Sequence, residues 1–182
     1  MRTFLLAAAL AAATPLSAQV TQQHKGFWFG FGFGVGENTS TQLDGGQLVG
    51  GAGYIRLGGS PSQKVLLGFD GMAWTNEDRN RGNGVFSVTF YPQSQGFYIK
   101  GGLGFASLGA TETNGGVTQH TTVSGFGLTG GIGYDIRLGR NIYLVPAVDI
   151  LGQFFKEQTA PVLGNIPKSN ALFIGTVGLL WH

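Results

Sequence analysis

Phe27-Trp28-Phe29-Gly30-Phe31-Gly32-Phe33-Gly34-Val35-Gly36 is the stretch from which the fold is read. Taken with a period of two, it sorts itself. Phe27, Phe29, Phe31, Phe33 and Val35 fall on one face; Trp28 and four glycines fall on the other. A helix would scatter these residues around its circumference, whereas a strand places alternate residues on opposite faces. The segment therefore reads as a strand, roughly 26–36, with a bulky apolar face and a nearly bare one.

Seven further segments are read as strands, roughly 47–57, 64–75, 84–92, 96–107, 124–137, 142–154 and 171–181. In 84–92, Phe86, Val88 and Phe90 oppose Ser87, Thr89 and Tyr91. In 96–107, Phe97, Ile99, Leu103 and Phe105 oppose Tyr98, Lys100, Gly102 and Gly104. In 124–137, Phe126, Leu128, Ile132, Tyr134 and Ile136 oppose glycines, Thr129 and Asp135. In 142–154, Ile142, Leu144, Val148 and Ile150 oppose Tyr143, Ala147, Asp149 and Gln153. Segment 47–57 is ambiguous, because Gly50, Gly51 and Gly53 occupy both of its faces. Pro146 falls in mid-strand, where it removes a ladder hydrogen bond, so a bulge or distortion is expected there.

The connections alternate in length. Those at 58–63, 93–95 and 138–141 are short. Those at 37–46, 76–83, 108–123 and 155–170 are long and polar, and they hold most of the Asn, Thr and Glu. An up-and-down barrel places every second connection at the same end, giving one short-turned end and one long-looped end, as in transmembrane barrels. Eleven residues rise ~36 Å along a strand, and a ~45° tilt projects this onto a lipid-facing band of ~25 Å. In hydrocarbon no water satisfies an unpaired N–H or C=O, so spanning strands must close on themselves. The polarity of the faces agrees. A soluble barrel carries its large apolar residues inside; here the second face is Gly, Thr, Ser and a few charges.

Composition supports this. The chain has 182 residues, of which 33 are Gly and 14 are Phe, with 11% charged residues and a formal charge of +2. Its mean hydropathy is slightly positive. That balance gives no electrostatic case for nucleic acid. The absence of cysteine excludes disulfides, thiolate metal sites, a cysteine nucleophile and a lipid-attachment cysteine. Met1 and Arg2 form a short positive region, Phe4–Ala13 an apolar one, and Leu16-Ser17-Ala18 a small-residue cleavage site. Residues 1–18 thus read as a secretory signal peptide, too short to span a bilayer, and 19–182 as a single barrel domain.

The signal peptide, the eight alternating strands and the closing Phe173-Ile174-Gly175-Thr176-Val177-Gly178-Leu179-Leu180-Trp181-His182 resemble the bacterial outer-membrane β-barrel family of the small OmpA/OmpX-like kind. Gly26-Phe27-Trp28-Phe29-Gly30, Tyr54–Pro61 and Gly131–Arg137 are similar to recurrent stretches of that family. The resemblance implies an all-β, eight-stranded antiparallel up-and-down transmembrane barrel in the bacterial outer membrane. It also implies contact with barrel-assembly machinery, for which Trp181 would be the C-terminal aromatic signal, followed here by His182. The family includes adhesins, defence proteins, anchors, small pores and lipid-modifying enzymes, so fold alone does not assign the task.

Candidate site residues follow from facing. Phe29, Phe31, Phe33, Phe86, Phe90, Phe97 and Phe105 are expected to face lipid. Arg56, Asp70, Lys100, Asp135 and Asp149 are expected inside, since charge facing lipid costs ~2–4 kcal/mol for Lys or Arg at the midplane. There they would form a structural ion network. Trp28, Tyr91, Tyr134, Tyr143 and Trp181, near strand ends, suit an interfacial aromatic girdle. His24, His120 and His182 lie far from one another in sequence without ligand-like spacing, and read as solvated; no metal, cofactor or catalytic set is expected. Gly125-Phe126-Gly127-Leu128-Thr129-Gly130 matches a dinucleotide fingerprint, but lies within a strand instead of opening a helix. The lipid A deacylase pattern His-x-Ser is missing. The functional expectation is a structural or surface-interaction barrel, with extracellular partners meeting the long connections. The alternatives are a narrow channel or small hydrophobic-ligand binder, favoured by inward glycines that fill no space, and a lipid-modifying enzyme.

Overall fold

The computed structural model describes residues 24–39, 49–76, 79–93, 96–114, 117–156, 159–160, 164–166 and 168–182. The expected signal peptide, 1–18, lies outside them, as does most of 37–46. Eight long strands make up the body: β1 (Gly26–Asn38), β2 (Val49–Ser62), β3 (Val65–Asn76), β4 (Arg79–Phe90), β5 (Phe97–Asn114), β6 (Val117–Tyr134), β7 (Ile142–Phe154) and β8 (Ser169–Trp181). Each pairs antiparallel with its chain neighbour, and β8 pairs with β1 from Phe29↔Trp181 to Asn38↔Leu172. The sheet therefore closes on itself and leaves no open edge. A two-residue piece, Ile136–Arg137, continues the line of β6 along β7, and Thr159–Ala160 pairs with Gly164–Asn165 in a small separate hairpin.

The period-two reading sets the facing of the strands. In β1 the even positions from Trp28 to Asn38 turn inward and the odd positions outward. The outer face carries Phe27, Phe33, Ile55, Phe86, Leu103, Phe105, Val148 and Val177, all exposed, with Phe33 at 71% and Leu103 at 61%. No helix among the described residues is long and apolar enough to cross a membrane.

Three expectations are corrected. First, of the expected loops 76–83 and 108–123, residues 79–83, 108–114 and 117–123 are strand. β4 begins at Arg79, directly after the short β3–β4 connection, and the β5–β6 ladder runs to Asn114↔Val117. Arg81 and Asn83 read as loop because they are polar, yet both are buried inside the barrel. Along 108–123 a greasy outer face is lacking, so no hydrophobic alternation marks the strand; Thr-rich pairing holds it instead. Second, Pro146 does not bulge its strand. β7 keeps one register with β8 through Val177↔Pro146. The interruption falls on its other neighbour: the β6 ladder stops at Gly133↔Ala147 and resumes at Ile136↔Leu144. The gap faces the proline, which has no N–H to give, and Asp135 N–H donates to Gly96 O instead, at 2.7 Å. Third, the girdle loses three of its five members. Trp28, Tyr91 and Tyr143 are fully buried inside the barrel, while Trp181 stays on the outer face beside Phe29 and Phe31.

The interior is layered. At the short-turn end Trp28, Leu66, Tyr91, Tyr98, Tyr143, Val145 and Leu180 pack together. Tyr54, Met72, Trp74, Leu151, Leu172 and Ile174 form a second apolar layer, and Ala106, Leu108, Ala110, Val123, Phe155 and Ile166 a third under the extended β5–β6 hairpin.

Candidate functional site

Of the five inward charges, the structure brings four together. Arg56 on β2 and Asp70 on β3 are direct cross-strand partners. Lys100 on β5 pairs with Gly131 on β6, which pairs with Asp149 on β7. Because Gly131 has no side chain, the Asp149 carboxylate lies over it and reaches Lys100; a Cβ at Gly131 would collide with that carboxylate. Lys100 Nζ sits 2.8 Å from Asp70 Oδ2 and 2.9 Å from Asp149 Oδ1. Arg56 lies within 4.0 Å of Asp70 and 3.9 Å of Asp149, donates to Tyr98 Oη at 3.2 Å, and stacks 3.8 Å over the Tyr54 ring. Ser87 Oγ donates to Asp70 Oδ1 at 2.9 Å. All four charged side chains are buried. Two cations against two anions, with these hydrogen bonds, offset the desolvation that each charge suffers.

Toward the end opposite the short turns a neutral network crosses the barrel. Asn83 Nδ2 donates to Leu128 O, Gln153 Nε2 donates to Asn83 Oδ1 and Gly82 O, and Asn170 Nδ2 donates to Gln153 Oε1. Trp74 Nε1 donates to Gly36 O at 3.0 Å.

Several inward glycines are covered by large rings. The Tyr54 ring lies against Gly32 and Gly178, Trp28 against Gly58 and Gly68, and Tyr98 against Gly133. In each case the large ring lies over a bare site one or two strands away, so missing side chains become seats for aromatic ones. A cleft among Trp28, Tyr54, Arg56, Tyr91, Tyr98 and Asp135 has room for roughly one water molecule.

Asp135, the fifth charge, lies at the short-turn end in a different group. Its Oδ2 accepts from Tyr91 Oη at 2.8 Å and lies 3.6 Å from His24 Nε2. Burial, reinforced by this carboxylate, pushes the Tyr91 phenol up, so it stays protonated and donates. The expectation of solvated histidines fails here. His24 is 1% exposed, with its ring 4.1 Å from Tyr91 and 4.6 Å from His182. Burial, then the neighbouring His24, pulls His182 down to about 3, so its ring is neutral at pH 7. No local motif could reveal this group: His24 precedes β1, Asp135 fills the gap opposite Pro146, and His182 follows β8. His120 remains exposed, where it contacts Thr111 Oγ1 at 3.0 Å.

Phe29, Phe33, Phe86, Phe90, Phe97 and Phe105 are exposed on the outer face; Phe31 is half-buried there between Phe29, Phe33 and Trp181.

No protein-family model matches the chain, and no curated protein sequence does. Solved structures do. Neisserial surface protein A is similar over 88% of this chain and 99% of its own, with 15% identity and a TM-score of 0.60. The N-terminal β-barrel domain of Pseudomonas aeruginosa OprF matches over 87% and 100%, with 14% identity and a TM-score of 0.51. Ail, the attachment invasion locus protein of Yersinia pestis, solved with the heparin analogue sucrose octasulfate, matches over 87% and 100%, with 9% identity and a TM-score of 0.52. At these identities the likeness is one of architecture: the chain has the closed eight-stranded fold of small outer-membrane barrels.

Proposed function

We propose that the protein is an integral outer-membrane barrel with a structural or surface-interaction role and no catalytic chemistry. The observation that carries this is the exposed belt of Phe, Leu, Ile and Val around a closed cylinder whose interior holds a buried ion cage. Apolar exposure on that scale is not sustained by a soluble monomer and suits hydrocarbon. Phe29, Phe31, Phe33, Phe86, Phe90, Phe97 and Phe105 then face lipid. Residues 1–18 serve as the export signal and 19–182 form the barrel. Trp181 serves as the terminal aromatic read by the assembly machinery.

The end opposite the short turns, where β5 and β6 extend, points outward from the cell. The β5–β6 hairpin, which continues past the Phe105↔Phe126 pair to Asn114↔Val117, is the element best placed to meet an external partner. The cage and the ring-over-glycine seats argue against the channel alternative.

The test joins fractionation and conductance. The protein should stay with carbonate-washed outer membranes, shift mobility on heating in gels, and give no steady current in planar bilayers. A steady open current would replace this reading with the narrow channel. Release from membranes without detergent would replace it with a soluble carrier.

A further inference from the structure

Where the first and last strands meet, the short-turn end holds a compact group of ligand-bearing side chains. His24, Asp135 and His182 each offer one ligand atom, and these atoms all lie within 4.8 Å of one another. His24 Nδ1 lies 3.0 Å from Gln63 O, and its backbone N–H donates to Gln63 Oε1, also at 3.0 Å. A carbonyl only accepts, so Nδ1 is the donor in that contact and Nε2 is the ring atom left to face the cluster. Nε2 is buried, has no hydrogen-bond partner among the described residues, and faces the Asp135 carboxylate at 3.6 Å. The ring nitrogen and the carboxylate oxygen thus point at one spot. Both ring nitrogens of His182 are likewise buried without a hydrogen-bond partner. The His182 backbone is held by its N–H to Asn141 O at 3.2 Å.

From this arrangement we infer that His24 Nε2, one His182 ring nitrogen and the Asp135 carboxylate bind a divalent transition-metal ion of the zinc class at the base of the barrel. Two imidazoles and one carboxylate favour such an ion over calcium or magnesium, which take oxygen ligands. Bonds of ~2.0–2.1 Å in a tetrahedron place ligand atoms about 3.4 Å apart. The His24–Asp135 pair is close to that spacing, and His182, past the end of β8, needs only a small approach. The outer contacts also match a metal site. A backbone carbonyl fixes the tautomer of His24, and the Tyr91 phenol holds the carboxylate. Tyr91 and Tyr143 wall the group, Tyr143 meeting His182 edge-on at 5.4 Å. With three protein ligands the ion keeps one position for water. Its effect would be to tie the segment before β1, the β6 interruption and the end of β8 into one clasp. This holds whether or not the lumen conducts.

The test uses the folded full chain in detergent micelles, stripped with EDTA, then titrated with Zn²⁺ by calorimetry and with Co²⁺ by visible absorption. The expected result is one ion per barrel, with the intense ligand-field bands of tetrahedral cobalt. Asp135→Asn and His24→Ala should each weaken binding by about 100-fold or more, since even outer-shell losses cost ~10–100-fold. His182→Ala, which touches no strand pairing, should do the same while leaving heat-modifiable mobility intact. It decides the matter if the other two variants do not fold. His120→Ala should bind as the parent does. Absence of stoichiometric binding to the parent overturns the inference. So does binding that survives His182→Ala in a folded barrel, or that is lost with His120→Ala.

Discussion

Lys100 is the residue on which the interior charge balance turns. Among the described residues it alone touches both aspartates at short range, with Asp70 at 2.8 Å and Asp149 at 2.9 Å. Replacing it by Met leaves two buried carboxylates to a single, more distant guanidinium. Lys100→Met should therefore lower unfolding stability by about 3–5 kcal/mol, the usual cost of stranding a buried charge. The measurement is the urea midpoint of the barrel in micelles, followed by tryptophan fluorescence. Adding Asp149→Asn should recover part of the loss, because it removes one of the stranded charges. Gly32 gives a second residue-scale forecast. A Cβ there strikes the Tyr54 ring, so Gly32→Ala should cost about 1–3 kcal/mol by overpacking. In a double-mutant cycle with Tyr54→Ala the two changes should couple by about 0.5–3 kcal/mol, since the ring that clashes is gone.

At the scale of elements, the strands that face two different surroundings were readable and those that face one were not. β1 announces itself because Phe and Gly alternate from Phe27 to Gly36. The outer reaches of β5 and β6 do not, since polar surroundings on the outer side leave nothing to alternate. Residues 79–83 misled for a related reason: Arg81 and Asn83 are polar because the barrel interior is polar there, not because the chain is in a loop. The ion cage was legible as four inward charges, but its pairing was not, as it depends on which strands lie opposite and on Gly131 clearing a path. The His24–Asp135–His182 group was illegible, because its members come from three places that only closure of the sheet brings together. One element can be removed as a test. The third apolar layer uses Ala106, Leu108, Ala110 and Val123, below the tip of the β5–β6 hairpin. Replacing Glu112–Gln119 by Asn-Gly, which favours a tight two-residue turn, should leave the folded mobility and the thermal midpoint nearly unchanged. Any adhesion the barrel confers on whole cells should fall.

For the molecule as a whole, the solvent outside the cylinder sets the sign of a substitution. Leu103 lies on the outer face between Phe86 and Leu128, about midway along the wall. Leu103→Arg should cost about 2–4 kcal/mol in lipid vesicles, the price of a cation at bilayer midplane depth. Urea titration of refolding into vesicles measures it. The same change near a strand end, as Phe27→Arg or Phe97→Arg, should cost less than at Leu103. A cost independent of depth would mean that the belt faces something other than a bilayer.

The cage also bears on how the barrel answers an electric field. Arg56 and Lys100 are matched by Asp70 and Asp149, so the occluding group carries no net charge. Moving one elementary charge through 100 mV yields ~2.3 kcal/mol of work, but a neutral quartet displaced as a unit yields none. Voltage therefore has no handle by which to pull this stopper free, and the barrel should remain shut at either polarity.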